Sequence, residues 1–266
     1  MCLILSKITS GDIMKNKALK KESKIILKGK TKQAILISLF VIMFMLFSTL
    51  LCAGIIFFGN LFSDNSPLIN AAIIVLLLII SVPALFVYSS ASVGEKAWYN
   101  GITENKSNYI KRLFFWFKPK YSYRALKFHL ILFIIKSFWA TLYFLPAAIL
   151  LWSIYYLSGT GGIEYYLFIS LSVGSVLLFL CGAIFYLISI QRYFLAEYLY
   201  SSNPRLGAIV SIRQSKNLLD GHILEIVKFK ISFIPKLLSC ILIVPAFFVI
   251  PYYKETCCVV AKKITL

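Results

Sequence analysis

The sequence predicts an all-α protein, a polytopic transmembrane helical bundle of five to six membrane segments with added interfacial amphipathic helices. Three observations predict it. Hydrophobic residues make up 60% of the 266 and charged residues only 14%, against about 45–50% and about 25% in ordinary soluble domains. The apolar residues fall into long uncharged runs. The basic residues behind the formal net charge of +18 gather between those runs, which is how orientation is written into membrane proteins. Nucleic acid is not expected as a partner. That reading would want base-stacking aromatics beside the charge on a soluble platform, and here most aromatics lie within or at the ends of the apolar runs.

Residues 1–32 form a basic, amphipathic lead-in with nine lysines against Asp12 and Glu22. Residues 33–266 form one integral-membrane domain. Its first segment, 34–59, carries no charge and can cross a hydrocarbon core about 30 Å thick. It is far longer than the roughly 7–15 residues of a signal-peptide core and lacks a small-x-small cleavage pattern after it, so it reads as a retained helix. A turn holding Asp64 and no Lys or Arg leads to the second segment, 67–91, which Pro83 is expected to kink.

From Val93 to Lys127 eight basic residues face Glu95 and Glu104, interleaved with nine aromatics from Trp98 to Tyr123. Rings at headgroup depth beside cations suit an element lying on the membrane. A plain basic loop is the alternative. The third segment, 128–157, contains Lys136 and Pro146, and a glycine-rich loop from Ser158 to Glu164 holds no basic residue. The fourth segment, 165–190, continues through Arg192 and Glu197 to Tyr200 as a helix leaving the membrane. Asn203 then reads as a cap and Pro204 as the first helical position. The helix expected from Arg205 to Asp220 has Leu206, Ile209, Val210, Ile212 and Leu219 as apolar positions and Gly221 as its stop.

The last apolar stretch, Ile223 to Tyr253, is long for one helix and short for two, and Pro235, Pro245 and Pro251 punctuate it. A break near Val244-Pro245 would give segments 223–243 and 245–262 and return Lys254, Lys262 and Lys263 to the side of the N-terminus. Both expected outer loops lack Lys and Arg, while the first two inner segments hold nine and eight. The bias places the N-terminus in the cytoplasm.

Several separated stretches resemble one bacterial integral-membrane family of uncharacterised activity, domain of unknown function 975. The lead-in from Ala18 to Gly29 looks like that family's basic approach to the membrane. Phe138-Trp139 followed by Leu145-Pro146 is similar to its third helix. Ser211 to Gly221, Ile231-Ser-Phe-Ile234 and Pro251-Tyr252 resemble its most recognisable region. The chain departs from the family pattern at Ala147, at Pro235-Lys236 and at Val244-Pro245. The resemblance implies a multi-pass protein of the bacterial plasma membrane and no particular activity.

Chemistry is sparse. The first four runs place no Asp or Glu deep in the membrane, which argues against proton- or sodium-coupled transport. Lys136 either holds an anionic headgroup or snorkels to the interface. Lys228, Lys230 and Lys236 invite the same two readings, with Glu225 three residues before Lys228 as a local helical partner. Together with Lys111, Arg112, Lys118, Lys120 and Arg124, these are the candidate contacts to anionic lipid. His129 and His222 sit at membrane boundaries, and Asp220-Gly-His222 reads as helix capping because no serine nucleophile accompanies it. Gly174-Ser175 reads as close helix packing. The six cysteines form no C-x-x-C pair and lie away from both histidines, so neither a metal nor a cofactor is expected. Without G-x-x-x-x-G-K-[ST] or H-E-x-x-H the chain is not expected to be an enzyme. The expected function is a non-catalytic membrane component, a scaffold or a transport or export accessory, with membrane lipids and an unidentified protein as partners. A small-molecule or lipid permease is the alternative, and an intramembrane enzyme acting on lipid comes third.

Overall fold

The computed structural model describes residues 16–62, 67–104, 109–159, 165–241 and 243–265. Most of the two basic-free loops, and Cys2 and Asp12 of the lead-in, lie outside the described residues. Among the described residues the chain is helical, with no strand. Helix α1 (Asn16–Leu27) is the amphipathic lead-in, and it buries Leu19, Ser23 and Leu27. Their spacing of four puts them on one stripe, while Lys17, Lys21 and Lys24 stay exposed.

Helices α2 (Thr31–Phe62) and α3 (Pro67–Thr103) form the first long pair. A short helix, α4 (Tyr109–Phe115), separates them from α5 (Pro119–Gly159) and α6 (Tyr165–Ile190). Four helical stretches are long and apolar enough to cross a membrane: Thr31–Gly59, Pro67–Thr103, Pro119–Leu157 and Tyr166–Ser202. The last of these includes α6, a 3-10 turn at Gln191–Tyr193 and α7 (Ala196–Ser202). Pro83 and Pro146 lie within α3 and α5 without ending them. With 32, 37 and 41 residues at about 1.5 Å each, α2, α3 and α5 overshoot a core of about 30 Å.

Beyond the apolar runs the helices gather in one assembly. There the ends of α2, α3, α5 and α6 meet α1, α4, α7, α8 (Ala208–Leu219), α9 (Ile223–Ile231) and the C-terminal half of α11 (Ile243–Thr265). We call this assembly the head. It holds both apolar cores: one around Leu19, Trp98, Tyr99, Phe229, Phe233 and Val259, the other around Trp116, Phe128, Ala196 and Tyr200. Phe128 and Tyr200 stack with ring centroids 4.3 Å apart. Along the apolar spans the large side chains point outward instead, as at Leu50, Leu68, Phe133 and Trp152.

Several expectations change here. The aromatic-basic segment 93–127 is no flat membrane-lying element: α3 runs on to Thr103, and Trp98, Tyr99 and Trp116 are fully buried. Its aromatics build a core, although Phe114 and Tyr123 remain exposed. The helix expected from Arg205 begins at Ala208 instead. Asn203 Oδ1 accepts from the Arg205 N–H at 3.1 Å, closing a tight turn rather than capping the helix. Helix α8 buries Ser211, Ile212, Ser215 and Leu219 and leaves Ile209 and Val210 exposed, while Gly221 stops it with a φ of +88°, a left-handed angle that suits glycine. Of the expected packing pair, Gly174 meets no neighbour while Ser175 is buried, and a closer approach of α5 and α6 falls at Gly182, where a Cβ would lie 2.5 Å from the Tyr143 carbonyl oxygen.

The expected segment 223–243 is not a single crossing helix. It divides into α9, α10 (Ile234–Leu238) and a 3-10 turn at Ser239–Ile241. Pro235 opens α10, since a residue without an N–H fits the start of a helix and not its middle. The nine residues of α9 rise only about 14 Å. The expected segment 245–262 lies within α11, and its residues 255–261 are buried in the head.

Candidate functional site

The polar centre of the head starts from two neighbours on α3, Glu95 and Lys96. Adjacent helical residues point about 100° apart, so each serves a different set of helices. Glu95 Oε1 accepts from Lys254 Nζ of α11 at 2.6 Å and from Ser38 Oγ of α2 at 2.8 Å. Ser38 Oγ spends its proton on Glu95, so Tyr99 Oη donates to it at 2.9 Å. Lys96 pairs with Glu197 of α7 and donates to Ser92 Oγ at 3.1 Å. The other oxygen of Glu197 lies 3.9 Å from Lys136 Nζ of α5. His129 packs against Tyr88, with ring centroids 5.9 Å apart. Two carboxylates thus join five helices. Burial of charge is tolerated only with such partners.

A cavity of about 420 Å³ opens beside this network. Val41, Ile42, Met45 and Leu46 of α2 form its apolar wall, and Tyr88, Ser92, Glu95, Lys96, Tyr99, Tyr198 and Lys254 form the polar side. One turn further along α3, Asn100 Nδ2 donates to the Tyr198 carbonyl at 3.1 Å and to Ser201 Oγ at 2.9 Å, and its Oδ1 accepts from Cys258 Sγ at 2.9 Å. Thr103 Oγ1 donates to Glu255 Oε1 at 3.0 Å, and Lys262 Nζ reaches the Thr103 carbonyl at 3.0 Å. Burial pushes the Glu255 carboxyl up to about 7, against the pull of Thr103, Lys30 and Lys262. Burial likewise lifts the Cys257 thiol to about 11, so it is a packing group rather than a thiolate. No group of His, Cys, Asp and Glu that could hold a metal ion occurs among the described residues.

The candidate lipid contacts divide. Three are used inside the fold. Lys136 faces Glu197. Lys230 donates to Gln191 Oε1 and lies 4.6 Å from the Phe194 ring centroid, with burial holding its ammonium below the usual range. Arg112 lies 3.8 Å from Glu104. Arg124 reaches the Pro204 carbonyl at 3.4 Å but remains exposed. Lys111, Lys118, Lys120, Lys228 and Lys236 are exposed as well. The expected Glu225–Lys228 pair gives way to Glu225 and His222, 3.5 Å apart. His222 makes no side-chain cap to α9.

Reading the sequence missed Glu95, Glu197, Lys254 and Glu255 as a connected set. One signal was present. Ser89-Ser-Ala-Ser-Val-Gly94 is a run of small residues leading directly into Glu95-Lys96, which marks a helix that neighbours approach closely before a charged pair.

Fold and site together define a class: a protein that is helical throughout its described residues, with four helical stretches long and apolar enough to cross a membrane, tied at one end by a polar, close-packed head. The family described as "Protein of unknown function (DUF975)" matches residues 14–265, and the chain belongs to that family. No curated protein and no solved structure matches it.

Proposed function

We propose that the protein is a non-catalytic membrane component, a scaffold or an accessory to transport or export, in the bacterial plasma membrane. The head and the N-terminus lie in the cytoplasm and rest on anionic headgroups. The fifth and sixth membrane segments are the two arms of a re-entrant hairpin: α9 and α10 enter the inner leaflet and α11 returns from it. Exposed Ile234, Leu238, Ile241 and Phe248 near its tip suit contact with lipid.

One observation carries this reading. The buried acids of the head are tied to lysines and hydroxyls from other helices, so its ionic chemistry holds helices together, while an exposed basic rim remains at Lys111, Lys118, Lys120 and Lys228. Such a rim draws the head to an anionic leaflet. The test is to isolate the full chain from gently solubilised membranes and identify what accompanies it. A stable protein partner with anionic lipid is the expected result, and a lone monomer without lipid preference would end the proposal.

The cavity beside Glu95, Lys96 and Lys254 favours a second reading, a permease for a small molecule or lipid. Flux across sealed vesicles carrying the purified protein would support it. No flux over a broad panel of anions and lipids would remove it.

A further inference from the structure

A second groove lies on the outer side of the head, between α1, α2 and α11, with a volume of about 480 Å³. Its polar lining is Lys24, Thr31 and Lys236, and its deeper wall includes Ile35, Phe248 and Val249. The order along the helices is consistent. On α2, Thr31 precedes the apolar run that begins at Ala34; on α11, which runs the other way, Phe248 and Val249 precede Pro251 and Tyr252. The groove is therefore cationic at its mouth and apolar toward the membrane.

The charge at the mouth is unbalanced. Lys236 Nζ lies 4.7 Å from the Tyr252 ring centroid and 5.9 Å from that of Phe233. Lys20 approaches the Phe233 ring as well, 4.3 Å from its centroid, and donates to the Ser232 carbonyl at 2.9 Å. Among the described residues no carboxylate lines the groove. Glu22, the one acid of α1, is held by Lys263 at 2.8 Å on its other side. Burial and then the Lys236 charge hold the Lys20 ammonium below its usual range, as expected where cations gather without a counter-ion.

We propose that this groove binds one anionic phospholipid from the leaflet beside the head, with its phosphate between Lys24 and Lys236 and one acyl chain along Ile35, Phe248 and Val249. A cavity of this size takes the headgroup and the first methylenes, and the rest of the lipid stays in the bilayer. The inference rests on the head lying at a membrane surface, as proposed above. It adds a specific site to a general attraction, and it explains why Lys236, in the short helix α10, turns toward α1.

The test is native mass spectrometry of the full chain in detergent, titrated with phosphatidylglycerol or phosphatidylcholine. One phosphatidylglycerol should be retained at concentrations where phosphatidylcholine is not. Lys24→Gln with Lys236→Gln should weaken that first adduct roughly tenfold or more, since each lysine near an anionic headgroup contributes appreciably. Ile35→Trp, which fills the apolar arm and leaves the charge intact, should weaken it as well. Arg213→Gln with Lys216→Gln removes as much charge from α8 and should leave it unchanged. Equal retention of both lipids would overturn the proposal, as would an equal loss in both charge-removal variants, which marks diffuse attraction alone. Displacement of the lipid by millimolar inorganic phosphate would overturn it in favour of a water-soluble anion. None of these outcomes bears on whether a protein partner accompanies the chain, so the site and the scaffold reading fail separately.

Discussion

The apolar spans and the head are built from similar residues and solve opposite problems. Trp152, in the apolar half of α5, is 68% exposed, whereas Trp98, in the part of α3 that enters the head, is 0% exposed. In the spans, lipid replaces water, so outward-facing Leu, Ile and Phe cost nothing and contacts between helices need only be close where small residues allow it. In the head, side chains must find each other. Aromatics stack, serines bond to carboxylates, and each lysine of the central network reaches an acid on a different helix. The difference teaches where the stability resides: the spans place the protein, and the head makes it one object.

Substitutions that treat the two regions alike would break this contrast. The largest effect is expected from Trp98→Ala, which empties a fully buried site and should lower stability by about 3–5 kcal/mol. Trp152→Ala should change the thermal midpoint in detergent little, and equal losses in both would contradict the comparison. Glu95→Ala comes next. It strands Lys254, Ser38 and Tyr99 around a buried vacancy, for a cost of about 2 kcal/mol, below the range for a fully buried pair because Lys254 keeps some solvent. Removing Lys254 as well should recover part of that loss in a double-mutant cycle. Gly182→Ala tests a close approach of one helix to the backbone of another within the spans. Its methyl meets the backbone of Tyr143 and should cost about 1–2 kcal/mol.

A separate effect is a change of stability with pH. The Glu255 carboxyl titrates from about 7 in the folded protein against 4.5 when free. Between those values the unfolded chain has released a proton that the folded chain still holds. Stability therefore falls as pH rises through that window and is level above it. Glu255→Gln should flatten the slope, so that variant and parent melt alike near about pH 4 and the variant melts higher at about pH 8. A parent midpoint that rises across the window would contradict the burial of Glu255.

The spans were legible in the sequence because length and hydropathy alone decide them, as in 34–59 and 67–91. The head was legible only in fragments. The basic, amphipathic character of the lead-in and the stop at Gly221 are local, and local patterns can be read. Glu95 and Lys254 stand 159 residues apart, and no local pattern joins them. The aromatic-basic segment misled because Trp and Tyr beside lysine have the same composition at a membrane surface as in a core under a charged rim. Trp98 and Trp116 take the second role, and only contact with α7 and α11 decides it. The division of 223–243 follows from Pro235, a signal that was visible; that α11 then runs back into the head depends on Glu255 and Cys258 meeting Thr103 and Asn100, which no spacing shows.

The central claim is that α1, the ends of the four crossing helices and the C-terminal half of α11 form one head on one side of the membrane. Labelling with a membrane-impermeant thiol reagent tests it most directly, using a single reporter cysteine at exposed Thr265 or at exposed Lys118 in sealed vesicles of each orientation. Both positions should label in inside-out vesicles and stay protected in right-side-out ones. Labelling of position 265 from the outside, with position 118 labelled from the inside, would mean that α11 crosses the membrane and that the head does not exist as a single unit.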